Sequence, residues 1–307
     1  MACGGSGEGD LTGPADGETE PPPQELSGPP SLVVSYLQRG GGVVVEALAF
    51  DAATGAAAGR ASWVRLWTSE TGAVHPLSLA TWSPDRQRVA IAGAGRIVTM
   101  RPDGTDTTVV LDWSGSLGFQ ALDWSPDGRR FIFDGCDYSQ RFVRCGLWVI
   151  DADGTNMRLL VTGDTIPLHP AWSPDGQRIA YMRHLYDTRS LYVANADGSD
   201  ERPIAKGGEF IAEPSWSPDG REVAYNADGQ IWVTNLVDGT SRRLTRPGDA
   251  TSTGPQWSRD GRSLLFLRHT VAPWGIRDST FVMQVPANGG AAERRLAFGV
   301  ELRSFAW

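Results

Sequence analysis

Lysine is almost missing from this chain: of its 28 lysine and arginine residues, only Lys206 is a lysine. The arginine bias matches the composition of a GC-rich bacterial genome. Acidic residues outnumber basic ones, and the formal net charge is −8 over 307 residues. The basic excess that nucleic-acid binding draws on is therefore absent. No apolar run approaches the ~20 residues needed to span a bilayer as a helix. There is no Gly-x-Ser-x-Gly nucleophile elbow, no His-Glu-x-x-His zinc pattern and no phosphate loop. With three cysteines and four histidines, any metal or catalytic constellation must be assembled from few residues.

What the chain has in abundance is a repeated sentence. "ATWSPDRQRVAIAG", "LDWSPDGRRFIFDG", "AWSPDGQRIAYMR", "SWSPDGREVAYNA" and "QWSRDGRSLLFLR" share one pattern, built on Trp82, Trp124, Trp172, Trp216 and Trp257. Their spacings of 42, 48, 44 and 41 residues, with strand-like runs and turn signals, predict propeller blades rather than helical solenoids. Within each unit the residues up to the tryptophan read as strand A and "SPDG" as a turn. An alternating run such as "RIAYMR" reads as strand B, and "SLYVAN" as strand C. "NADGSD" and its equivalents then turn the chain into strand D. Proline presets φ in these turns, aspartate bonds neighbouring backbone, and glycine accepts positive φ. The repeated tryptophan ring is expected to pack between neighbouring blades.

A sixth unit has only its strand A, in "SFAW", which ends at Trp307. Residues 32–38 and 43–50 read as a hairpin and "SWVRLW" as a further strand. The expected fold is all-β: a six-bladed β-propeller of four-stranded blades, its ring closed by N-terminal strands B, C and D pairing with the C-terminal strand A. Closure of this kind removes exposed sheet edges.

The "WSPDG" motif with its following strand resembles the WD-repeat-like propeller units of the TolB family, over about residues 31–307. That resemblance implies the propeller fold and, through family members in the periplasm and at the cell surface, an extracytoplasmic setting. Related propellers also occur in peptidases, where the catalytic triad sits in a separate hydrolase domain that has no counterpart in this sequence.

Two regions are expected: a tether over 1–30 and the propeller over 31–307. The tether contains Glu8, Asp10, Asp16, Glu18, Glu20 and Glu25 with no lysine or arginine, and is rich in glycine and proline. Such a composition has little to bury and predicts a flexible linker. Cys3 in "MACGGSG" resembles the lipidated first residue of a mature bacterial lipoprotein, and an anchor there is expected. Cys136 and Cys145 flank a predicted hairpin loop and are expected to form a disulfide, consistent with an oxidising compartment.

In a propeller the A-to-B and C-to-D turns share one face, and the B-to-C loops and D-to-A connectors share the other. The second set is longer and more varied, as recognition loops are. Tyr138, Arg141, Phe142, Arg144, Tyr186, Arg189, Trp274 and Arg277 are the candidate binding residues there, since aromatics and arginines anchor interfaces. The expected function is a non-catalytic, monomeric, lipid-anchored propeller that binds an envelope protein or extracellular polymer and needs no cofactor. The alternative is an enzyme of polysaccharide lyase or hydrolase type. His169, His184, Glu213 and His269 would then act in the central channel around a divalent metal, as the resemblance to propeller lyases implies. "DADGTN" at 151–156 shares part of a calcium-loop pattern but recurs as an ordinary turn.

Overall fold

The computed structural model describes residues 32–37, 43–48, 63–68, 79–93, 95–113, 117–118, 121–138, 143–185, 188–206, 211–246, 250–271, 277–289, 293–299 and 302–306. The expected tether and Cys3 lie outside these residues. The described chain opens with β1 (Leu32–Leu37), β2 (Val43–Leu48) and β3 (Trp63–Thr68). The first repeat supplies β4 (Leu79–Trp82), β5 (Val89–Gly93), β6 (Arg96–Met100) and β7 (Thr108–Asp112). The second supplies β8 (Leu117–Gly118), β9 (Leu122–Trp124), β10 (Arg130–Asp137), β11 (Arg144–Asp151) and β12 (Arg158–Val161). In the third are β13 (Ile166–Trp172), β14 (Arg178–Leu185), β15 (Thr188–Asn195) and β16 (Arg202–Lys206). The fourth holds β17 (Ile211–Trp216), β18 (Glu222–Ala227), β19 (Gln230–Asn235) and β20 (Ser241–Arg243). The fifth holds β21 (Thr251–Trp257), β22 (Ser263–Val271), β23 (Arg277–Pro286) and β24 (Arg294–Gly299), and β25 (Leu302–Ala306) comes last.

The expectation of six like, four-stranded blades is corrected here. The repeat builds five blades, not six, and they are not uniform. In the second, the innermost strand is broken into β8 and β9, so that sheet has five strands. The break falls where the Asp134 carboxylate accepts the N–H of Ala121 at 2.8 Å, a side chain standing beside the ladder. The remaining sheet, β25-β1-β2-β3, is assembled from both ends of the described chain and contains no Trp-Ser-x-Asp turn. In it β1 pairs antiparallel with β25, with Val33 opposite Ala306, and β25 packs between β21 and β4.

Each blade is a run of hairpins, so its strand order follows chain order. The A-to-B turn is held by one device repeated five times. In the third blade Ser173 Oγ donates to Asp175 Oδ1 and accepts from the N–H of Arg178 at 2.9 Å, while Asp175 Oδ1 also accepts from the N–H of Gln177 at 3.0 Å. Ser83, Ser125, Ser217 and Ser258 repeat it with Asp85, Asp127, Asp219 and Asp260. All five serines are buried, and each aspartate is held below its ordinary pKa, first by the serine bond.

Between blades the tryptophans do the packing. Trp124 lies with Ala90, Ala92 and Ile97 of the preceding blade, and Trp172 with Ile132, Leu147 and Val149. Trp216 lies against Ala171, Ala180 and Val193, and Trp257 against Ala224, Ile231 and Val233. Trp216 also donates Nε1–H to the carbonyl of Ala171 at 3.1 Å. Arginines of the preceding blade close two of these contacts from outside: Arg130 stands 5.2 Å over the ring of Trp172, and Arg178 stands 4.8 Å over Trp216.

Candidate functional site

The two ends of the blades differ in what they can present. At one end the C-to-D turns are hydrogen-bonded to the A-to-B turns of the same blade. Ala152 donates its N–H to Arg129, Ala196 to Gln177, Leu236 to Arg221 and Ala287 to Arg262, at 2.8, 2.8, 2.8 and 2.9 Å. Backbone used in this way is committed to the scaffold. The opposite end carries the B-to-C loops and the connectors between blades.

At that opposite end the second and third blades form a continuous, fixed platform. Cys136 and Cys145 face each other in the β10–β11 ladder, 4.0 Å apart at Cα, and are joined by a disulfide. Thr162, in the connector to the next blade, donates its hydroxyl to the carbonyl of Cys145. The carbonyl of Thr162 in turn accepts from Arg183. Arg183 also donates to Thr165 and forms a two-pronged ion pair with Glu201, whose carboxylate accepts the Tyr181 hydroxyl at 2.6 Å. Burial is the main influence pushing the Tyr181 hydroxyl pKa up, with the bond to Glu201 adding to it. Glu201 is nevertheless held below its ordinary value, because its bonds to Arg183 and Tyr181 outweigh burial.

On this platform apolar side chains face solvent. Tyr138 is 58% exposed, Val143 53% and Ile166 42%. Among the described residues only two other large hydrophobics, Val109 and Val237, are comparably exposed, and they lie on an outer strand and a C-to-D turn. Arg144 and His184 are exposed beside the patch, and His184 sits opposite Ile166 in the β13–β14 ladder. A bare apolar group with a cation next to it, on backbone held by a disulfide and an ion pair, is suited to recognition rather than to bond making.

Of the sequence-predicted binding residues, Tyr138 and Arg144 stand on this patch. Arg189 is half-buried and pairs with His184 in the β14–β15 ladder. Arg277 begins β23, and its side chain lies outside the described residues, as do Arg141, Phe142, Tyr186 and Trp274 in full. Val143 and Ile166 were not anticipated, because exposure of a β-branched residue has no signature in a strand-like sequence.

The channel candidates have different surroundings from one another. His169 and Glu213 occupy one repeat position at positive φ, 53° and 58°, where strand A bulges and the pairing register shifts. Gly254 holds that position in the fifth blade, with φ 60°. The N–H of this bulge is taken by an acid of the preceding blade: Asp134 Oδ2 accepts from His169 at 2.8 Å, and Glu213 Oε2 accepts from Gly254 at 2.6 Å. Glu213 is thereby engaged as a clamp between blades. His269 is buried, with its ring nitrogens 2.9 Å from Thr253 Oγ1 and 3.0 Å from Thr280 Oγ1. His184 is exposed at the loop end. Among the described residues no three histidine, cysteine, aspartate or glutamate side chains gather closely enough to hold a metal ion. Sequence reasoning missed Asp123 and Asp134. Asp123 accepts the N–H of Trp124 at 2.9 Å and of Trp172 at 2.7 Å, and burial, outweighing those bonds, pushes its pKa up to about 6.

No helix among the described residues is long and apolar enough to cross a membrane. The family model for the TolB beta propeller domain matches residues 136–299. No curated protein matches the chain. Among solved structures, a putative TolB of Agrobacterium tumefaciens superposes with a TM-score of 0.66 at 18% identity, covering 90% of this chain and 92% of that one. TolB of Acinetobacter baumannii gives 0.68 at 17% identity, covering 90% of this chain and 66% of that one. An oligogalacturonate lyase of Vibrio parahaemolyticus gives 0.58 at 12% identity, with 87% and 79% covered. At these identities the likeness is one of fold.

Proposed function

The chain belongs to the TolB beta propeller domain family, and from that premise we propose that it is a non-catalytic binding module acting outside the cytoplasm, its partner an envelope protein or an extracellular polymer. The observation that carries this reading is the exposed Tyr138, Val143 and Ile166 beside Arg144, on a platform fixed by the Cys136–Cys145 disulfide. A disulfide suits an oxidising compartment, and a lipid on Cys3 would hold the module at a membrane. The engagement of Glu213 by Gly254 and of His269 by two threonines supports binding over cleavage.

β1 begins at the end of its sheet where the other blades have their A-to-B turns, so chain preceding Leu32 departs from the turn face. The Tyr138 patch lies at the opposite end of the blades.

The test is crosslinking capture from the native envelope, together with sedimentation on envelope polysaccharide. Intact protein is compared with a Tyr138→Ser, Arg144→Ala, Ile166→Ser variant that melts cooperatively. Capture or sedimentation by the intact form alone supports the reading; equal behaviour of the two forms removes this face from the function.

A further inference from the structure

The β10–β11 hairpin reaches past the strands that flank it. On the outer side β12 stops with Val161 opposite Leu147, so the pairs Gly135–Gly146, Cys136–Cys145 and Asp137–Arg144 have no outer strand beside them. The β14–β15 hairpin overhangs its outer strand only by His184–Arg189 and Leu185–Thr188, and β22–β23 only by Thr270–Ser279 and Val271–Arg277. Among the described residues, the second blade therefore has the longest hairpin end without an outer neighbour. On its inner side that end meets the short β8, where Leu117 and Gly118 stand opposite Asp137 and Cys136.

The join between this end and the rest of the ladder is made of glycine. Gly135 and Gly146 stand opposite each other just inside the disulfide, so at that level no pair of side chains ties the strands together. Inward of the glycines, Phe131–Asp134 and Leu147–Ile150 are all buried. Toward the loop end, Cys136 and Cys145 are the first opposed pair in which both residues reach solvent. Thr162 adds one long hydrogen bond, 3.4 Å, to the Cys145 carbonyl. Tyr138 and Val143, the next residues outward from Asp137 and Arg144, are thus held in place by a covalent link that solvent can reach.

A disulfide is opened by attack of a thiolate on one of its sulfurs, so access decides which disulfides react in a folded protein. We propose that Cys136–Cys145 is a site of thiol–disulfide exchange with a dithiol reductant, and that its reduction frees the end of the β10–β11 hairpin together with Tyr138, Val143 and Arg144. The proposal rests on the reading of this face as the recognition surface and adds its regulation.

One thiolate of the reductant attacks a sulfur of the disulfide, forming a mixed disulfide and releasing the other cysteine as a thiolate, which takes up a proton. The second thiol of the reductant gives up its proton and displaces the remaining cysteine, which is protonated in turn. The reductant leaves as its own disulfide, and two electrons and two protons end on Cys136 and Cys145. Oxidised, the hairpin end is ordered before any partner arrives. Reduced, it must be ordered at the moment of binding, and that cost lowers affinity.

The test uses the full chain carrying Cys3→Ser, so that every thiol released comes from Cys136 or Cys145. Reduction by dithiothreitol is followed by thiol titration at a series of low urea concentrations. The expected rate is proportional to dithiothreitol and unchanged by urea, as for attack on the folded molecule. A rate that climbs steeply with urea means reaction only through global unfolding, and overturns the inference. In the reduced protein, amide exchange at residues 136–138 and 143–145 should quicken about tenfold or more while β17–β19 are unchanged. Exchange equal to that of the oxidised protein also overturns it. The Cys136→Ser, Cys145→Ser chain is the permanently open form and should match the reduced protein. Envelope capture then separates the two readings. Capture by the oxidised form alone supports both, and equal capture by both forms overturns the regulation. Capture by neither removes the face from recognition, and the urea and exchange measurements still decide whether the disulfide is an exchange site.

Discussion

The Asp134 carboxylate accepts the backbone N–H of His169 at 2.8 Å, across a blade boundary and 35 residues along the chain. The same carboxylate holds Ala121 of its own blade through the other oxygen. Because its side chain is fully buried, one aspartate ties the broken strand A of its own blade to the strand A bulge of the next. Hydrogen bonds to charged groups contribute about 1.5–3 kcal/mol each. Asp134→Ala is therefore expected to cost about 3 kcal/mol or more in urea unfolding, with Asp134→Asn intermediate because an amide can accept only one of the two N–H groups.

Disulfide removal addresses the platform directly. The Cys136→Ser, Cys145→Ser protein should lose about 2–3 kcal/mol, from the freed loop entropy of the unfolded chain, and hydrogen exchange should quicken in residues 143–146 while β17–β19 stay protected. Uniform quickening throughout would show that the disulfide supports the whole ring rather than one loop.

Tryptophan and arginine at a blade boundary can be separated by a double-mutant cycle. Trp216→Ala should cost about 3–5 kcal/mol as a large buried ring is lost. Arg178→Ala should cost about 1 kcal/mol or more, from the contact over the ring and from the hydrogen bond it donates to the Gly220 carbonyl at 2.9 Å. The double mutant should lose less than the sum of the two single losses, because Arg178 has no ring to cover once Trp216 is gone. Additive losses would mean that the 4.8 Å approach has no energetic content.

Two glycines make opposite cases. A Cβ on Gly146 would clash with the Val161 carbonyl oxygen, inside the β11–β12 pair beside the disulfide. Gly239, at φ 71°, has nothing within 4 Å of such a Cβ. Gly239→Ala is expected to cost about 1 kcal/mol, through its left-handed backbone alone. Gly146→Ala should cost more and lower Tm further, since the backbone of two strands must separate.

The pH dependence has two opposed limbs. Asp123, raised to about 6, binds its proton more readily folded than unfolded, so its contribution to stability is fully present at low pH and is lost as pH rises from about 4 through 6. Asp85, Asp127, Asp175, Asp219 and Asp260 are lowered by their serine bonds, so what they contribute is present above the ordinary aspartate pKa and is lost on acidification below it. Asp123→Asn should flatten the upper limb in urea titrations and leave the acid limb in place.

The fold was largely legible because it is local. The Trp-Ser-x-Asp turn recurs five times, and each hairpin pairs segments adjacent in the chain, so strands, turn face and loop face followed from residue order. The departure from uniformity was not legible, because the break between β8 and β9 depends on a buried carboxylate reaching Ala121 from another strand. The candidate site divides in the same way. Tyr138 and Arg144 could be chosen for their loop positions, and Cys136 with Cys145 for flanking one hairpin. His169, His184, Glu213 and His269 looked alike as polar groups near a channel.

By itself, the sequence determined an all-β chain of tryptophan-marked blades, an acidic leader and a disulfide hairpin, since turn chemistry and hairpin pairing act over a few residues. Only the tertiary structure decided that His269 is enclosed by two threonines, that Glu213 clamps the next blade, and that Ile166 comes to solvent. The Glu213 clamp joins residues 41 apart in the chain, and burial and hydrogen-bond satisfaction are fixed by how strands and neighbouring sheets close on one another rather than by any local pattern.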